Sequence, residues 1–448
     1  MKRRFLLPLL MIIAAAAVPA LAQEDTKLWD DSMAKFKAKD YAPAAEGFKA
    51  YAAMNPTEPS APFNLGLCYF NLDQYDNAIA SFSRGLQLKD PWPEANYYVG
   101  LSYYDLGQYE KALPKLTLAL QQKPAWPEAN YYIAMSHYGA LRYADALPFF
   151  KETVRLKPDF VKAYIFMGNT QDYLGHYNEA IAAYVRASEL DPTNAQTFYE
   201  LGVAHSTQKN NAAAIAAYEN CIKVDPNYNS ALYNLALVYE RVDRDKDAIP
   251  MLVRAIKAGH KTGDAQWELG RLYNNRDRYS DALPVLLEAV RIVPAKAGPR
   301  LELGIAYNGL SDYPNAIASL NEAIKLDPAN ATAYLNLGNS YYDDKKYSEA
   351  VPNYQKAVEL SPKWKTAINY LADAYRGQAD YILALDTYNR TLVIDAKDTY
   401  AINGIGQTYV RQGKLGLARE QKAKLDVLDP PLAAKLQAKI DAAAPKKP

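Results

Sequence analysis

The sequence predicts an all-α solenoid made of about twelve helix–turn–helix repeats of 34 residues, and three observations lead to this fold class. The heptapeptide WPEANYY occurs at Trp92–Tyr98 and again 34 residues later, at Trp126–Tyr132. Counting from Asp25 divides the chain into twelve units of 34 residues, and the twentieth residue of each unit is alanine. The thirty-second residue is proline in nine units, and no insertion or deletion interrupts the frame.

Residues 1–22 have the features of a secretory signal peptide. Lys2–Arg4 form a basic start, Phe5–Val18 is apolar, and Ala20–Ala22 is an A-x-A cleavage site that would leave Gln23 as the new terminus. The apolar stretch is short for a membrane span of about 20 residues. We therefore expect an exported protein in the bacterial periplasm, with secretion as the alternative.

The charge balance limits the classes of partner. The chain has 51 basic and 50 acidic residues, and loss of the three basic residues at Lys2–Arg4 leaves a net charge near −2. A nucleic-acid-binding protein normally needs a basic surface, so nucleic acid is not expected as a partner. An electrostatic attachment to membranes is not expected either, which leaves a membrane association that is peripheral at most.

Within each unit, two apolar patterns at helical spacing are separated by a short polar turn. In the tenth unit, Leu337 and Tyr341 begin the first pattern, and Ala350, Tyr354 and Ala357 form the second. The eighth residue is usually glycine or alanine and the twentieth is alanine, which fits a close contact between paired helices about 8–10 Å apart. Polar residues near the start of the second helix are predicted to be N-caps: Asp76, Asn178, Ser280 and Ser348.

The tenth unit, ATAYLNLGNSYYDDKKYSEAVPNYQKAVELSPKW, resembles the tetratricopeptide repeat family. The residues that match the family pattern are Leu337, Gly338, Tyr341, Tyr347, Ala350, Tyr354, Ala357 and Pro362. The resemblance covers residues 25–430, and the first and last units fit least well, as terminal caps do. It implies a right-handed superhelical solenoid whose first helices line a concave face, where such arrays usually bind peptides.

The residues after Pro430 are predicted to form a C-terminal capping helix over 431–444. Leu432, Leu436 and Ile440 recur at helical spacing and would cover the exposed face of the last repeat. The tail, 445–448, is predicted to be disordered.

No catalytic, metal-binding or cofactor-binding site is predicted, so the chain is not expected to be an enzyme. It has four histidines, and His137 and His205 fall at positions where other units carry tyrosine. Sequence motifs for nucleotide, zinc or nucleophilic sites are absent. Cys68 and Cys221 lie four units apart, roughly 40 Å if each helix layer adds about 10 Å, whereas a disulfide needs Cα atoms within about 7 Å. Two buried free thiols are expected.

The predicted binding surface consists of the fifth, ninth and twelfth residues of each unit, which the family resemblance places on the concave face. In units one to four all twelve are apolar or aromatic: Trp29, Met33, Phe36, Phe63, Leu67, Phe70, Tyr97, Leu101, Tyr104, Tyr131, Met135 and Tyr138. From unit five onward the same positions become more polar, and Arg271 and Glu240 are placed to pair across neighbouring units.

A contiguous exposed apolar surface usually marks a binding site. The leading hypothesis is therefore a protein–protein interaction scaffold of the cell envelope that binds an extended or helical apolar segment of another envelope or exported protein. The alternative is a carbohydrate-binding accessory of polysaccharide assembly or export, in which Trp29, Tyr97, Tyr104 and Tyr131 stack on sugar rings. The junction at 258–263 has two glycines and no proline, and is either a hinge or a softer turn.

Overall fold

The computed structural model describes residues 21–260 and 262–444, with side chains from residue 25 onward. These residues form twenty-five α-helices and no strand, so the predicted all-α repeat solenoid is confirmed. The predicted tail 445–448 and all but the last two residues of the predicted signal peptide lie outside the described residues. None of the described helices has the length and apolar character needed to cross a membrane.

The helices fall into two compact units, one ending at Pro226 and one beginning at Asn227. The first unit contains α1 Leu21–Lys37, α2 Tyr41–Met54, α3 Ser60–Asn71, α4 Tyr75–Leu88, α5 Pro93–Asp105, α6 Tyr109–Gln122, α7 Pro127–Gly139, α8 Tyr143–Leu156, α9 Val161–Tyr173, α10 Tyr177–Leu190, α11 Ala195–Thr207 and α12 Asn211–Val224. The second contains α13 Asn229–Arg241, α14 Asp245–Lys257, α15 Asp264–Asn274, α16 Tyr279–Ile292, α17 Ala297–Gly309, α18 Tyr313–Leu326, α19 Ala331–Asp343, α20 Tyr347–Leu360, α21 Lys365–Gly377, α22 Tyr381–Ile394, α23 Thr399–Arg411, α24 Leu415–Leu428 and α25 Pro430–Ala443.

Each 34-residue repeat consists of an odd-numbered first helix and an even-numbered second helix, and repeats are numbered here from Asp25. Paired helices contact each other along their length, and each second helix contacts the next first helix within its unit. Consecutive first helices also meet, such as α5 with α7 and α15 with α17, whereas consecutive second helices make no comparable contact in the described chain. The first helices therefore lie on the inner side of each unit's stack.

Small residues allow the paired helices to approach closely. The twentieth residue of every repeat is fully buried: Ala44, Ala78, Ala112, Ala146, Ala180, Ala214, Ala248, Ala282, Ala316, Ala350, Ala384 and Ala418. A Cβ atom added to Gly66 would lie 2.7 Å from the ring of Phe82, and one added to Gly202 would lie 2.5 Å from Tyr218. The eighth residue is small because the twenty-fourth side chain occupies the space beside it.

The turn between the two helices has the same backbone geometry in all twelve repeats. The fifteenth residue of each repeat lies in this turn and has a positive φ: Lys39, Asp73, Gly107, Leu141, Gly175, Lys209, Asp243, Asp277, Ser311, Lys345, Ala379 and Gly413. The next N–H then donates to a carbonyl five residues back, as from Gln74 to Tyr69 at 2.9 Å. This is the Schellman arrangement that closes a helix through a left-handed residue. Sequence reasoning missed it because most of these residues are not glycine.

The predicted N-caps of the second helices are wrong by two residues. Asp76, Asn178, Ser280 and Ser348 lie inside the first turn, because the helices already begin at the preceding residue, usually a tyrosine. Those tyrosines pack: Tyr75 is buried and contacts Phe70 at a centroid distance of 5.7 Å. The tight Schellman turn starts the second helix immediately, so little room is left for a capping segment.

The helix α25 covers the end of the second unit. It contacts both helices of the last repeat, α23 and α24. Its Leu436 and Ile440 are fully buried in one cluster with Ile402 and Leu425. The apolar side of the last repeat is thereby removed from water, as expected for the end of a repeat array.

Candidate functional site

The twelve predicted groove residues are less open than the sequence suggested. Six of them are buried: Phe36, Leu67, Phe70, Tyr97, Leu101 and Tyr131. The other six are half-buried: Trp29, Met33, Phe63, Tyr104, Met135 and Tyr138. The expectation of an open apolar surface is wrong for the six buried members. Two regular aromatic contacts cover three of them, Phe70, Tyr97 and Tyr131.

The first covering is an aromatic stack at the fifth position. Phe63 stacks on Trp92 and Tyr97 stacks on Trp126, each with ring centroids 4.6 Å apart. Tyr131 stacks on Phe160 at 4.9 Å. The covering ring is always the last residue of the same repeat, which follows the second helix and precedes the next first helix.

The second covering links the twelfth residue of one repeat to the sixth residue of the next. Phe70 meets Tyr98, Tyr104 meets Tyr132 and Tyr138 meets Phe166, with centroid distances of 5.6, 5.4 and 5.5 Å and interplanar angles near a right angle. Edge-to-face contacts of this kind contribute about 0.5–1.5 kcal/mol beyond area burial. We call these three pairs the aromatic junctions. These contacts stabilise the stack, and they engage rings that the sequence analysis predicted to contact a ligand.

Two of the four aromatic residues predicted to stack on sugar rings are covered by neighbouring rings in the same way. Tyr97 is 2% exposed and Tyr131 is 6% exposed, and one face of each ring lies against Trp126 or Phe160. A pyranose ring would have to displace those neighbours. Trp29, another of the four, is half-buried and packs against Phe48 and Tyr51.

Part of the predicted surface stays accessible at the end of the aromatic stretch. Met135 and Tyr138 are half-buried on α7, and Tyr173 on α9 is 63% exposed. Tyr138 and Tyr173 have ring centroids 6.1 Å apart, and Tyr173 stacks on Tyr143 at 4.4 Å. The sequence had not singled out Tyr173, because it is the thirteenth residue of its repeat. We call Met135, Tyr138, Tyr143 and Tyr173 the tyrosine patch.

Beyond repeat 4, polar side chains replace the rings at three of the equivalent junctions. The pairs are Asp172 with Glu200, Glu240 with Glu268, and Asn274 with Glu302. We call them the acidic junctions. Burial raises the pKa of Asp172, and burial together with the charge of Asp172 raises the pKa of Glu200.

Arg271 joins the second acidic junction. Its guanidinium lies 2.5 Å from a Glu240 carboxylate oxygen and 2.7 Å from one of Glu268. The predicted pairing of Arg271 with Glu240 across neighbouring repeats is confirmed. Burial still raises the pKa of Glu240, although Arg271 opposes that shift. The three side chains are only partly shielded, with 31% of Arg271 and 18% of each glutamate side chain exposed.

Protein-family models match most of the residues of this helical array. Models described as tetratricopeptide repeat match residues 99–159, 195–228, 233–297 and 331–363, and a model described as TPR repeat matches 173–209 and 309–345. A model of anaphase-promoting complex, cyclosome, subunit 3 matches residues 37–119. The chain belongs to the tetratricopeptide repeat family.

Several solved structures are similar to this tetratricopeptide repeat protein. The APC/C hetero-tetramer Cut9–Hcn1 shares 15% sequence identity at a TM-score of 0.46, over 94% of this chain and 96% of that chain. YrrB, described as a TPR protein with an unusual peptide-binding site, shares 24% identity at a TM-score of 0.40, over 42% and 96%. MamA from Desulfovibrio magneticus RS-1 shares 20% identity at a TM-score of 0.38, over 39% and 99%. No curated protein matches the chain.

The tetratricopeptide repeat protein has little reactive chemistry in its described residues. Cys68 and Cys221 are both free and buried, and burial raises the pKa of each thiol to about 12. Burial lowers the pKa of His137 and His205, which favours the neutral imidazole. Residues 25–260 and 262–444 contain no group of three His, Cys, Asp or Glu side chains arranged to hold a metal ion.

Proposed function

We propose that the chain is a non-enzymatic scaffold that holds a segment of another protein against its first helices. The support is architectural: a stack of helix pairs offers an extended surface on which successive repeats can each contribute a contact. YrrB, a peptide-binding protein by its description, has the same kind of repeat. The proposed partner is another envelope or exported protein that supplies an extended or helical apolar segment.

The observation that carries the apolar preference is the tyrosine patch. Large isolated apolar side chains are common on protein surfaces, but a contiguous group usually marks a contact. Here Tyr138, Tyr143 and Tyr173, from α7, α8 and α9, contact one another, and Met135 lies three residues before Tyr138 on α7. Tyr173 is exposed although it stacks on Tyr143. A partner that covers this patch gains about 25 cal/mol for each Å² of apolar area buried, before the cost of ordering the partner. The remaining half-buried members, Trp29, Met33, Phe63 and Tyr104, would extend the contact toward repeat 1.

The test is a selection of peptides from a random display library on the full chain, followed by titration of the selected peptides. We expect the selected sequences to share apolar or aromatic residues. Met135→Glu places a charge in the tyrosine patch and should weaken their binding by about tenfold, the equivalent of roughly 1.4 kcal/mol.

The matched control is Val185→Glu, which places the same charge at an exposed apolar residue of the second helix α10. It should leave peptide affinity unchanged. If both variants weaken binding equally, or if neither does, the tyrosine patch is not the docking surface. Circular dichroism of both variants checks that the helices are intact.

We also propose that the chain is exported, on the basis of the predicted signal peptide at residues 1–22. Expression of the full gene in a Gram-negative host should place the protein in the periplasmic fraction. Its first residue by terminal sequencing should be Gln23. An intact N-terminus on cytoplasmic protein would contradict the proposal.

A further inference from the structure

A second surface on the first helices has the opposite chemistry to the tyrosine patch. Glu240, Glu268, Arg271, Asn274 and Glu302 come from α13, α15 and α17, three successive first helices of the second unit. Arg271 bonds both Glu240 and Glu268, and the Asn274 amide bonds Glu302. We call these five residues the acidic cluster. Three carboxylates against one guanidinium leave it with a charge of about −2 when ionised.

Glu302 is the member without a cationic partner. Arg271 is engaged by Glu240 and Glu268, and no described lysine or arginine forms an ion pair with Glu302. Its carboxylate is instead held by the Nδ2 of Asn274, at 2.9 Å from Oε2, and the same nitrogen also donates to the Glu302 carbonyl oxygen at 2.9 Å. Burial is the main cause that raises the pKa of this carboxyl. A held and partly desolvated carboxylate favours an incoming cation.

Asn274 supplies an independent sign that a donor is missing. The residue is 6% exposed, and its Oδ1 has no hydrogen-bond donor while its Nδ2 has two acceptors. A buried amide oxygen without a donor costs free energy. An ammonium group carries three donors and a guanidinium five, so one such group can serve both the amide oxygen and a carboxylate.

Tyr233 on α13 lies within the electrostatic range of two carboxylates of the cluster, Glu240 and Glu268. Burial and the charges of Asp264, Glu268 and Glu240 raise the pKa of Tyr233 to about 12. One face of its ring lies on His260 at a centroid distance of 4.5 Å. A ring beside carboxylates suits a cationic side chain, which is attracted to both.

We propose that the acidic cluster binds a basic segment of a partner polypeptide, with a lysine or arginine side chain directed at Glu302 and Asn274. The carboxylates extend over three repeats, so an extended segment can follow them with more than one basic residue. This inference rests on the proposed scaffold function and adds a second, electrostatic contact to it. The contact weakens as salt rises, because exposed charges are screened.

The test uses fluorescence anisotropy of the full chain with a labelled peptide of alternating lysine and glycine, and the same peptide with glutamate in place of lysine. We expect the lysine peptide to bind and the glutamate peptide not to bind. Glu302→Gln should weaken binding of the lysine peptide by about tenfold. Arg271→Met should strengthen it, because the variant releases Glu240 and Glu268.

The matched control for Glu302→Gln is Glu349→Gln, which removes the same charge from an exposed site on the second helix α20. Equal losses in the two variants would show general attraction to negative charge and would overturn the proposal, as would binding of both peptides alike. Met135→Glu should not weaken binding of the lysine peptide. A failure of the tyrosine patch in its own test can therefore be told apart from a failure of the acidic cluster.

Discussion

The aromatic and acidic junctions occupy the same two positions of the repeat and differ in what they leave for a ligand. In repeats 2 to 5, rings meet edge to face and bury each other, as with Phe70 and Tyr98. In repeats 7 to 9, the equivalent side chains are carboxylates and an amide that keep part of their surface accessible. Glu240 and Glu268 are joined through Arg271, and Asn274 donates to Glu302. The aromatic junctions therefore consume apolar surface in packing, whereas the acidic junctions leave charged groups partly accessible.

An apolar stripe on a helix face is usually interpreted as a binding surface, and the comparison shows that it can also be a packing surface. A stripe of apolar side chains on one helix face indicates a surface that avoids water, and both a partner and the next repeat can cover it. In this chain, packing within and between repeats buries half of the twelve residues. Carboxylates cannot be covered in the same way without a high desolvation cost, so they stay near solvent.

The largest expected effect tests whether the aromatic stretch is structural. Tyr97→Ala removes a ring that is 2% exposed and stacked on Trp126, and should destabilise α5–α8 by about 3–5 kcal/mol through the cavity it leaves. Hydrogen exchange of the amides in these helices measures the loss locally. Tyr173→Ala, at a ring that is 63% exposed, is the comparison variant and should cost far less. Similar losses would show that Tyr97 is not a core residue.

A second prediction concerns the strength of the acidic junction in repeats 7 and 8. Arg271→Met leaves Glu240 and Glu268 facing each other without their shared guanidinium. We expect a loss of about 1–2 kcal/mol, reduced from the value for charged hydrogen bonds because the site is partly exposed. Exchange of the α13–α16 amides measures it.

The matched control for Arg271→Met is Arg291→Met, which breaks an ion pair with Glu288 inside one exposed helix face. That pair lies within a single helix and is largely solvated, so the variant should show no measurable change. If the two variants behave alike, the junction pair adds nothing to the stack.

The sequence was sufficient for the fold because the period is strict. Alanine at every twentieth position and a small residue at the eighth fix two helices and their close contact, and both tracks are buried as a helix pair requires. The fifth, ninth and twelfth residues, spaced by four and three, share one side of a helix by its geometry. These inferences use spacing inside one repeat, where helix geometry is known in advance.

The candidate site could not be predicted to the same degree because it depends on contacts between repeats. The offset of one repeat on the next decides that a twelfth residue meets a sixth, and that offset is not encoded in the helical period. One signal was available: aromatic residues end repeats 2, 3 and 4, at Trp92, Trp126 and Phe160, in the same repeats that carry Phe63, Tyr97 and Tyr131. Their joint occurrence could have suggested a stack.

The turns provide a baseline for the comparison, because both stretches share them. Leu141 and Ser311 have φ values of 59° and 62°, which cost a residue with a Cβ about 1 kcal/mol. Leu141→Gly and Ser311→Gly should each stabilise their repeat by about 0.5–1 kcal/mol, by similar amounts. Thermal unfolding followed by circular dichroism measures the gain. A gain in only one variant would show that the turns, and not only the junctions, differ between the stretches.

The smallest expected effect concerns the acidic junction of Asp172 and Glu200, which is the first one after the aromatic junctions along the chain. Both carboxyls have pKa values raised by burial, so the folded state binds protons more tightly than the unfolded state. Their contribution to stability is therefore most favourable below about pH 4 and falls as pH rises through the folded pKa values. Asp172→Asn removes this penalty and should stabilise the protein at pH 7 by a few tenths to about 1 kcal/mol.

Well below about pH 4, Asp172→Asn and the unmodified chain should be equally stable, because the carboxyl is then neutral in both states. Urea unfolding at several pH values measures the difference, and Glu179→Gln on the exposed face of α10 is the control. A gain that persists at low pH would come from packing rather than charge. In that case the acidic junction would be a structural contact of the same kind as the aromatic ones, and the distinction between the two stretches would begin only at Glu240.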